Sequence, residues 1–277
     1  MTGTLITVAP TGAESSKAAV PALPVTLDEL VATAKECEAL GAAIVHVHIR
    51  DDAAEPTLDQ GRLRATVTAL RESTDLIVQL SSGGAVTDPE AARLAVLDAG
   101  PEMASCTMGT VNFGDGVFLN RWEFIVDLHT RMQERGIVPE YEIFDLGQLT
   151  TLQVLLDRHG LPAGGHVHVD LVMGVPGGMP GTADALVACH RVIRDLPAGT
   201  TFSATGIGRS SIPVMLASVS AGGHLRVGME DTLTYAKGRA VESNMQLVAR
   251  AVGLAQLAQR PPLTTAEARD LLGVPVR

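Results

Sequence analysis

Two stretches of this 277-residue chain place histidines at alternate positions: His46 and His48 in AIVHVHIRDD, and His166 and His168 in HVHVDLVM. Residues i and i+2 of a β-strand share a face, roughly 6–7 Å apart along the chain, so either pair could turn its imidazoles toward one metal ion. The same spacing also suits two histidines that only satisfy local hydrogen bonds. A catalytic zinc takes three protein ligands and keeps one position open, so a histidine pair needs a third donor. Glu230 and Asp231 offer neighbouring carboxylates, of which one can bind an ion while the other points elsewhere. An acidic pair is equally at home at a helix N-terminus. Arg226 alternates with Gly228 and Glu230, which puts its side chain on the face of Glu230. An inward guanidinium needs an acid or an anionic ligand, and a structural ion pair meets that need as well. Ser81-Ser82-Gly83-Gly84 presents hydroxyls and backbone N–H groups suited to a carboxylate, in a composition that ordinary turns share.

These groups can cooperate only if the fold brings them to one place. Short β-rich runs occupy residues 5–9, 43–49, 76–80, 103–107, 140–144, 167–173, 201–204 and 225–229. Helical patterns alternate with them. The first spans 27–40, with Thr26 as its N-cap and Gly41 past its end. Others cover 63–73, a segment opening near Asp88-Pro89, 121–135 stopped by Gly136, a stretch ending at Gly160, 183–195, 212–220 and 239–258. A short capped helix follows in TTAEARDLLG. Eight β-then-α units without a Pro- or Ser-rich boundary predict an α/β chain folded as a single (β/α)8 TIM barrel over 1–277, with a short C-terminal helical extension. A doubly wound open sheet is the structural alternative.

In such barrels the active site lies at the C-terminal ends of the strands. Glu14 follows the first run, His46 and His48 end the second, and the serine–glycine stretch follows the third. Ser105 and Glu142 lie within the fourth and fifth runs, GVPGG and TGIGR follow the sixth and seventh, and Glu230-Asp231 follow the eighth. His166 and His168 begin the sixth run and belong to the opposite end, so position favours the first pair as the metal site. Strand eight is separated from strand two by strand one alone, which brings Glu230 or Asp231 within range. The glycines around strand eight suit either turns or a phosphate, which the loops after strands seven and eight often hold.

Composition narrows the partners. Net charge is −10 and no block of Lys or Arg stands out, which argues against nucleic acid. No run of 18 apolar residues and no signal-like N-terminus occurs, so neither a membrane span nor secretion is expected. The three cysteines, Cys37, Cys106 and Cys189, are far apart and form no disulfide framework, as befits a reducing cytoplasm.

With these residues in view, the chain resembles the β-keto acid cleavage enzymes, whose founding activity is 3-keto-5-aminohexanoate cleavage in lysine fermentation. The resemblance runs through TGAE (11–14), PALPVT (21–26), AIVHVHIRDD, SSGG (81–84), PEMAS and GTVNFGDGVF (101–118), GVPGG (174–178), GIGR (206–209), GGHLRVGMED (222–231) and ESNMQLV (242–248). It implies a (β/α)8 homotetramer with one zinc per subunit, and an exchange in which a β-keto acid and acetyl-CoA give acetoacetate and a new acyl-CoA. Carried over by motif, His46, His48 and Glu230 would hold zinc. Asp231 would be the general base with Arg226 as its partner. Ser81, the backbone near Gly84 and Ser105 would meet the substrate carboxylate, and Glu14 the distal end. A carboxylate there favours a cationic group, as in 5-amino-3-oxohexanoate. The pattern departs at Ser82, where Thr is usual, at Ser105, often Thr, and at Thr107, where Asn is common. The second His-x-His is no part of it. A metal-dependent hydrolase or lyase on the same barrel, or a non-catalytic small-molecule-binding barrel, are the other readings.

Overall fold

The computed structural model describes residues 3–277. Eight parallel strands close on themselves: β1 (Ile6–Val8), β2 (Ile44–Val47), β3 (Ile77–Leu80), β4 (Met103–Thr107), β5 (Val138–Ile143), β6 (His168–Met173), β7 (Thr201–Gly206) and β8 (His224–Val227). β1 pairs with both β2 and β8, which removes the open-sheet alternative. The helices are α1 (Leu27–Leu40), α2 (Gln60–Ser73), α3 (Glu90–Ala95), α4 (Trp122–Arg135), α5 (Leu146–His159), α6 (Ala183–Ile193), α7 (Ser211–Ser220), α8 (Asn244–Leu257) and α9 (Thr265–Leu272).

Local chemistry sets most of these boundaries. Thr26 caps α1 in a reciprocal box with Glu29, and Gly41 ends it at φ 113°, a conformation that costs glycine no Cβ clash. Asp59 caps α2 and moves its start to Gln60, three residues before the expected one. α8 begins at Asn244, under a Ser243 cap, and not at 239. The residues before it instead form a two-stranded ribbon, Thr234–Ala236 with Arg239–Ala240. Two more ribbons rise from the rim: Ile49–Arg50 with Pro56–Thr57, and Val111–Phe113 with Gly116–Phe118.

Alternation along the strands separates two environments. Ala104, Cys106, Tyr141, Ile143, Val169 and Leu171 pack outward in one apolar cluster with α4–α6 side chains such as Leu128, Leu152 and Leu186. The residues between them face the barrel interior, which is polar well beyond the branched aliphatics usual there: Ser105, Thr107, Glu140, Glu142, His168, Asp170, Ser203, Thr205 and Arg226 are all buried. Leu5, Ile44, Ile77, Met103 and Val138 close the N-terminal end against Leu263, Leu271 and Leu272. The C-terminal helix α9 is therefore a plug under the barrel floor, and its capping box at Thr264 and Glu267 fixes where it starts.

Candidate functional site

β2 carries His46 on its inner face and ends one residue before His48. β8 ends at Val227, and the chain turns at once: the Asp231 and Thr232 N–H groups both donate to the Gly228 carbonyl, and Glu230 N–H donates to Ala9 O at 3.2 Å. Gly228 permits this because a Cβ there would lie 1.8 Å from Ala9 O. The turn swings Glu230 across the end of β1 toward the two histidines. Glu230 Oε1 lies 3.7 Å from His46 Nε2 and 3.6 Å from His48 Nε2. The three potential donor atoms lie within 4.8 Å of one another, the one such His/Cys/Asp/Glu group among the described residues.

The chemistry of these donors fits a divalent ion. His46 Nδ1 sits 2.6 Å from Gln79 Oε1, an acceptor, so the ring proton belongs on Nδ1 and the Nε2 lone pair faces Glu230. His46 Nε2 and Glu230 Oε2 are buried without any hydrogen-bond partner, an arrangement that is costly unless something binds there. Burial, reinforced by Arg226, lowers the His46 imidazole to about 3 and keeps it neutral. Burial pushes the Glu230 carboxyl up, yet Arg226 and the two histidines outweigh it and hold it well below its ordinary range. A neutral imidazole and an ionised carboxylate are the ligand forms a metal requires.

Beneath this group Arg226 serves four acids at once. Its Nη1 is 3.3 Å from Glu142 Oε1 and 4.0 Å from Asp170 Oδ2, while Nη2 contacts Glu230 and, at 3.2 Å, Asp231 Oδ1. One cation cannot offset four buried anions, so protons make up the difference. Burial raises Asp231 to about 7 against the pull of Arg226, with Glu230 and Asp170 adding to the rise. Burial raises Asp170 to about 6 in the same way. Asp231 Oδ2 has no hydrogen-bond partner, and the residue lines the cavity above.

That cavity, of about 210 Å³, has two unlike sides. Glu14, His48, Glu230, Asp231 and Arg226 form the polar one. The other is apolar, with Phe113, Phe118 and Phe144 packed edge to face and extended by Val172, Val175 and Ile207. Ser81 and Gly84 also line the cavity. Ser81 Oγ accepts the Gly83 N–H at 3.1 Å, which leaves its own proton to donate. Gly84 sits at φ 61°, and a Cβ there would meet Asp88 Oδ2 at 2.3 Å. Ser105 lies off the cavity wall: its Oγ accepts from Ser82 N–H, and its carbonyl accepts from Ser82 Oγ at 2.6 Å. It braces the serine–glycine loop from below. Glu14 is exposed at the mouth.

His166 and His168 lie at the other end of the barrel. Thr201 Oγ1 stands 2.8 Å from His166 Nε2 and 2.7 Å from His168 Nδ1, and His168 Nε2 is 3.0 Å from Ser203 Oγ. Hydroxyls satisfy this pair, as position predicts.

Gln79 and Arg50 are among the groups at the site that the sequence reading misses. Gln79 orients His46, and its trace in the sequence is alternation with Ser81, just past the end of β3. Arg50 is buried and donates through Nη2 to the carbonyls of Gly12 at 2.6 Å and Ser15 at 2.9 Å. It thereby pins the loop that presents Glu14. Its trace was equally slight, two residues beyond His48.

Comparison with known proteins gives the family and the fold. A family profile described as beta-keto acid cleavage enzyme matches residues 4–274. The chain is 37% identical over 276 residues to the 3-keto-5-aminohexanoate cleavage enzyme of Acetoanaerobium sticklandii, covering 98% of each. It is 32% identical over 272 residues to the 3-oxoadipate:acetyl-CoA acetyltransferase of Cupriavidus necator, covering 98% of this chain and 95% of that one. Among solved structures, that of apo ObcA superposes with a TM-score of 0.80 at 21% identity, covering 92% of this chain and 66% of the longer ObcA chain. This last likeness is one of fold.

Proposed function

Because this chain belongs to the beta-keto acid cleavage enzyme family, we propose that it exchanges acyl groups between a β-keto acid and acetyl-CoA, releasing acetoacetate and a new acyl-CoA. The convergence of His46, His48 and Glu230 beside the free oxygen of Asp231, at the floor of one cavity, carries this reading. His46, His48 and Glu230 would hold one zinc ion. When bound, zinc supplies Lewis acidity toward the oxygens of the β-keto acid.

The protein's own groups do the rest. The Ser81 hydroxyl and the backbone around Gly84 receive the substrate carboxylate, and Ser105 holds that loop in place from beneath. Asp231 takes the proton given up by the reacting carbon or hydroxyl. A base raised to about 7 is matched to neutral pH, where proton transfer by a positioned side chain contributes most. Arg226 keeps Asp231 oriented and balances the charge that comes and goes beside it. The phenylalanine wall excludes water and offers an apolar surface to the acyl end of acetyl-CoA.

Glu14 selects the distal group. Among the described residues no ion pair or side-chain hydrogen bond occupies it, so its charge is available at the mouth, where an ammonium is attracted and a second carboxylate repelled. The preferred substrate is 5-amino-3-oxohexanoate or a similar cationic β-keto acid, in keeping with the name of the Acetoanaerobium sticklandii relative. A cytoplasmic homotetramer goes with this reading.

The test is direct. Purified protein is incubated with acetyl-CoA and 5-amino-3-oxohexanoate, with and without a zinc chelator, and the products are read by mass spectrometry. Chelator-sensitive 3-aminobutyryl-CoA is the expected result. Zinc-loaded protein that forms no acyl-CoA from this or any neutral β-keto acid would sink the proposal.

A further inference from the structure

The second histidine motif, which the reaction does not use, stands at the foot of a buried polar column that ends on the first. The top of the column is His46, whose Nδ1 meets Gln79 Oε1 at 2.6 Å with both residues buried. A glutamine amide can sit in two orientations that differ by exchange of its oxygen and nitrogen. With Oε1 toward His46, the ring carries its proton on Nδ1 and leaves Nε2 free. With Nε2 toward His46, the ring must accept, its proton moves to Nε2, and the lone pair facing Glu230 and His48 is lost. Something must choose between the two.

Glu140 is placed to choose. Its carboxyl lies in the layer below, on β5, near enough for the Gln79 amide to favour its ionised form. Gln79 Nε2 and both Glu140 oxygens are buried, and none of them has a hydrogen-bond partner, so each can still take one. A carboxyl oxygen there favours the amide N–H₂ over the amide oxygen. The groups around Glu140 are Gln79 from β3, Glu142 on its own strand, Asp170 and His168 from β6, and Arg226 from β8. Burial and the acid neighbours, Asp170 first, raise it to about 8 in spite of Arg226. Protonated or not, it keeps an oxygen able to accept from the Gln79 amide, and when protonated its hydroxyl can turn toward His168 Nε2. His168 Nε2 lies 3.5 Å from Glu140 Oε2, and the ring is held from beneath by Thr201 and Ser203.

We propose that Glu140 and Gln79 are positioning residues for the metal site, and that His168 supports them from the floor of the barrel, so that the two His-x-His motifs are the ends of one column. The proposal rests on the reading of His46, His48 and Glu230 as metal ligands. Its first test does not. The tautomer of His46 in metal-free protein is read from two-bond 1H–15N correlations of the imidazole, with His46→Asn identifying its signals. Wild type is expected as the Nδ1–H form. Gln79→Leu removes the acceptor and shifts the ring toward the Nε2–H form.

The second test is zinc affinity, measured by competition with a chromophoric chelator. Groups that orient a ligating histidine contribute about 10- to 100-fold in metal affinity, so Gln79→Leu and Glu140→Leu are expected to bind zinc that much more weakly. Glu140→Gln keeps a carbonyl oxygen for the Gln79 amide and should stay within about threefold of wild type. Circular dichroism and the melting temperature show whether each variant is folded. If Glu140→Leu does not fold, the contrast between Gln79→Leu and Glu140→Gln carries the comparison. Wild-type affinity and an Nδ1–H ring in folded Gln79→Leu would overturn the column. Loss of zinc in Glu140→Gln equal to that in Gln79→Leu would remove Glu140 from it. An Nδ1–H ring in a wild type that binds no zinc would leave the column standing and overturn the metal reading.

Discussion

The two His-x-His motifs use the same residues at the same spacing in the same kind of element, yet they meet opposite surroundings. His46 and His48 stand where β2 ends, and a turn that only glycine permits at 228 delivers a carboxylate to them. His166 and His168 stand where β6 begins, and there β7 supplies hydroxyls. Both ring nitrogens of His168 have hydroxyl partners, whereas His46 Nε2 has none. A motif of this kind has no fixed meaning of its own. Its chemistry follows from which end of the strand it occupies and from what the neighbouring strands place beside it.

The comparison breaks most plainly if metal follows the wrong pair. His46→Ala or His48→Ala should abolish stoichiometric zinc and reduce acyl exchange to background, while His168→Ala retains zinc at neutral pH. Metal analysis of dialysed protein decides it, and full zinc in both first-motif variants would refute the assignment. Arg226→Leu probes the layer between the motifs. It strands four acids without their cation, and loss of one partner of a buried pair costs about 3–5 kcal/mol. A denaturation midpoint like that of wild type would show that protons alone balance this layer.

Asp231→Asn sharpens the contrast between ligand and base at the upper end. The turnover number should fall by about 10²–10⁴-fold while zinc stays bound. Unchanged turnover would remove Asp231 from the role of base.

At the lower end the expected signature is one of stability against pH. Burial lowers His224 to about 3 and His168 well below its ordinary value. The unfolded chain protonates such histidines below about 6.5 and then binds more protons than the folded one. Their contribution to stability is therefore complete above about 6.5 and is lost as the pH falls toward the folded values. His168→Asn should make the acid limb of a stability–pH curve shallower by up to about 1.4 kcal/mol per pH unit. A limb of unchanged slope in chelator-treated protein would contradict a neutral buried His168. The smallest expected effect is at the mouth, where Glu14→Gln should reduce the preference for a cationic over a neutral β-keto acid by about tenfold or less. An unchanged ratio of kcat/KM values would show that Glu14 does not read the distal group.

Much of the barrel was legible because its determinants are local. Thr26 and Gly41 delimit α1 within a few residues of sequence, and Met103–Thr107 is a strand over the full length expected. The end of the strand on which a motif falls is local too, and that was enough to prefer His46 and His48 over the second pair. The three rim ribbons and the late start of α8 were not legible. Short strands of two or three residues leave no periodicity to read, and the ribbon at 234–240 displaced residues that the helical pattern had claimed.

By itself, the sequence determined the fold class, the order of the units and the short set of residues able to do chemistry. Periodicity, caps and the alternation of side chains are properties of neighbours in the chain. Spacing left Glu230 and Asp231 both open; the family resemblance named Glu230, and the tertiary structure turns it toward the histidines. Tertiary structure alone decided that four acids share Arg226, that Gln79 sets the proton on His46, and that Phe113, Phe118 and Phe144 make one wall. Each of those facts joins residues dozens of positions apart through the register of the strands. A slip of one residue there would turn every side chain to the other face.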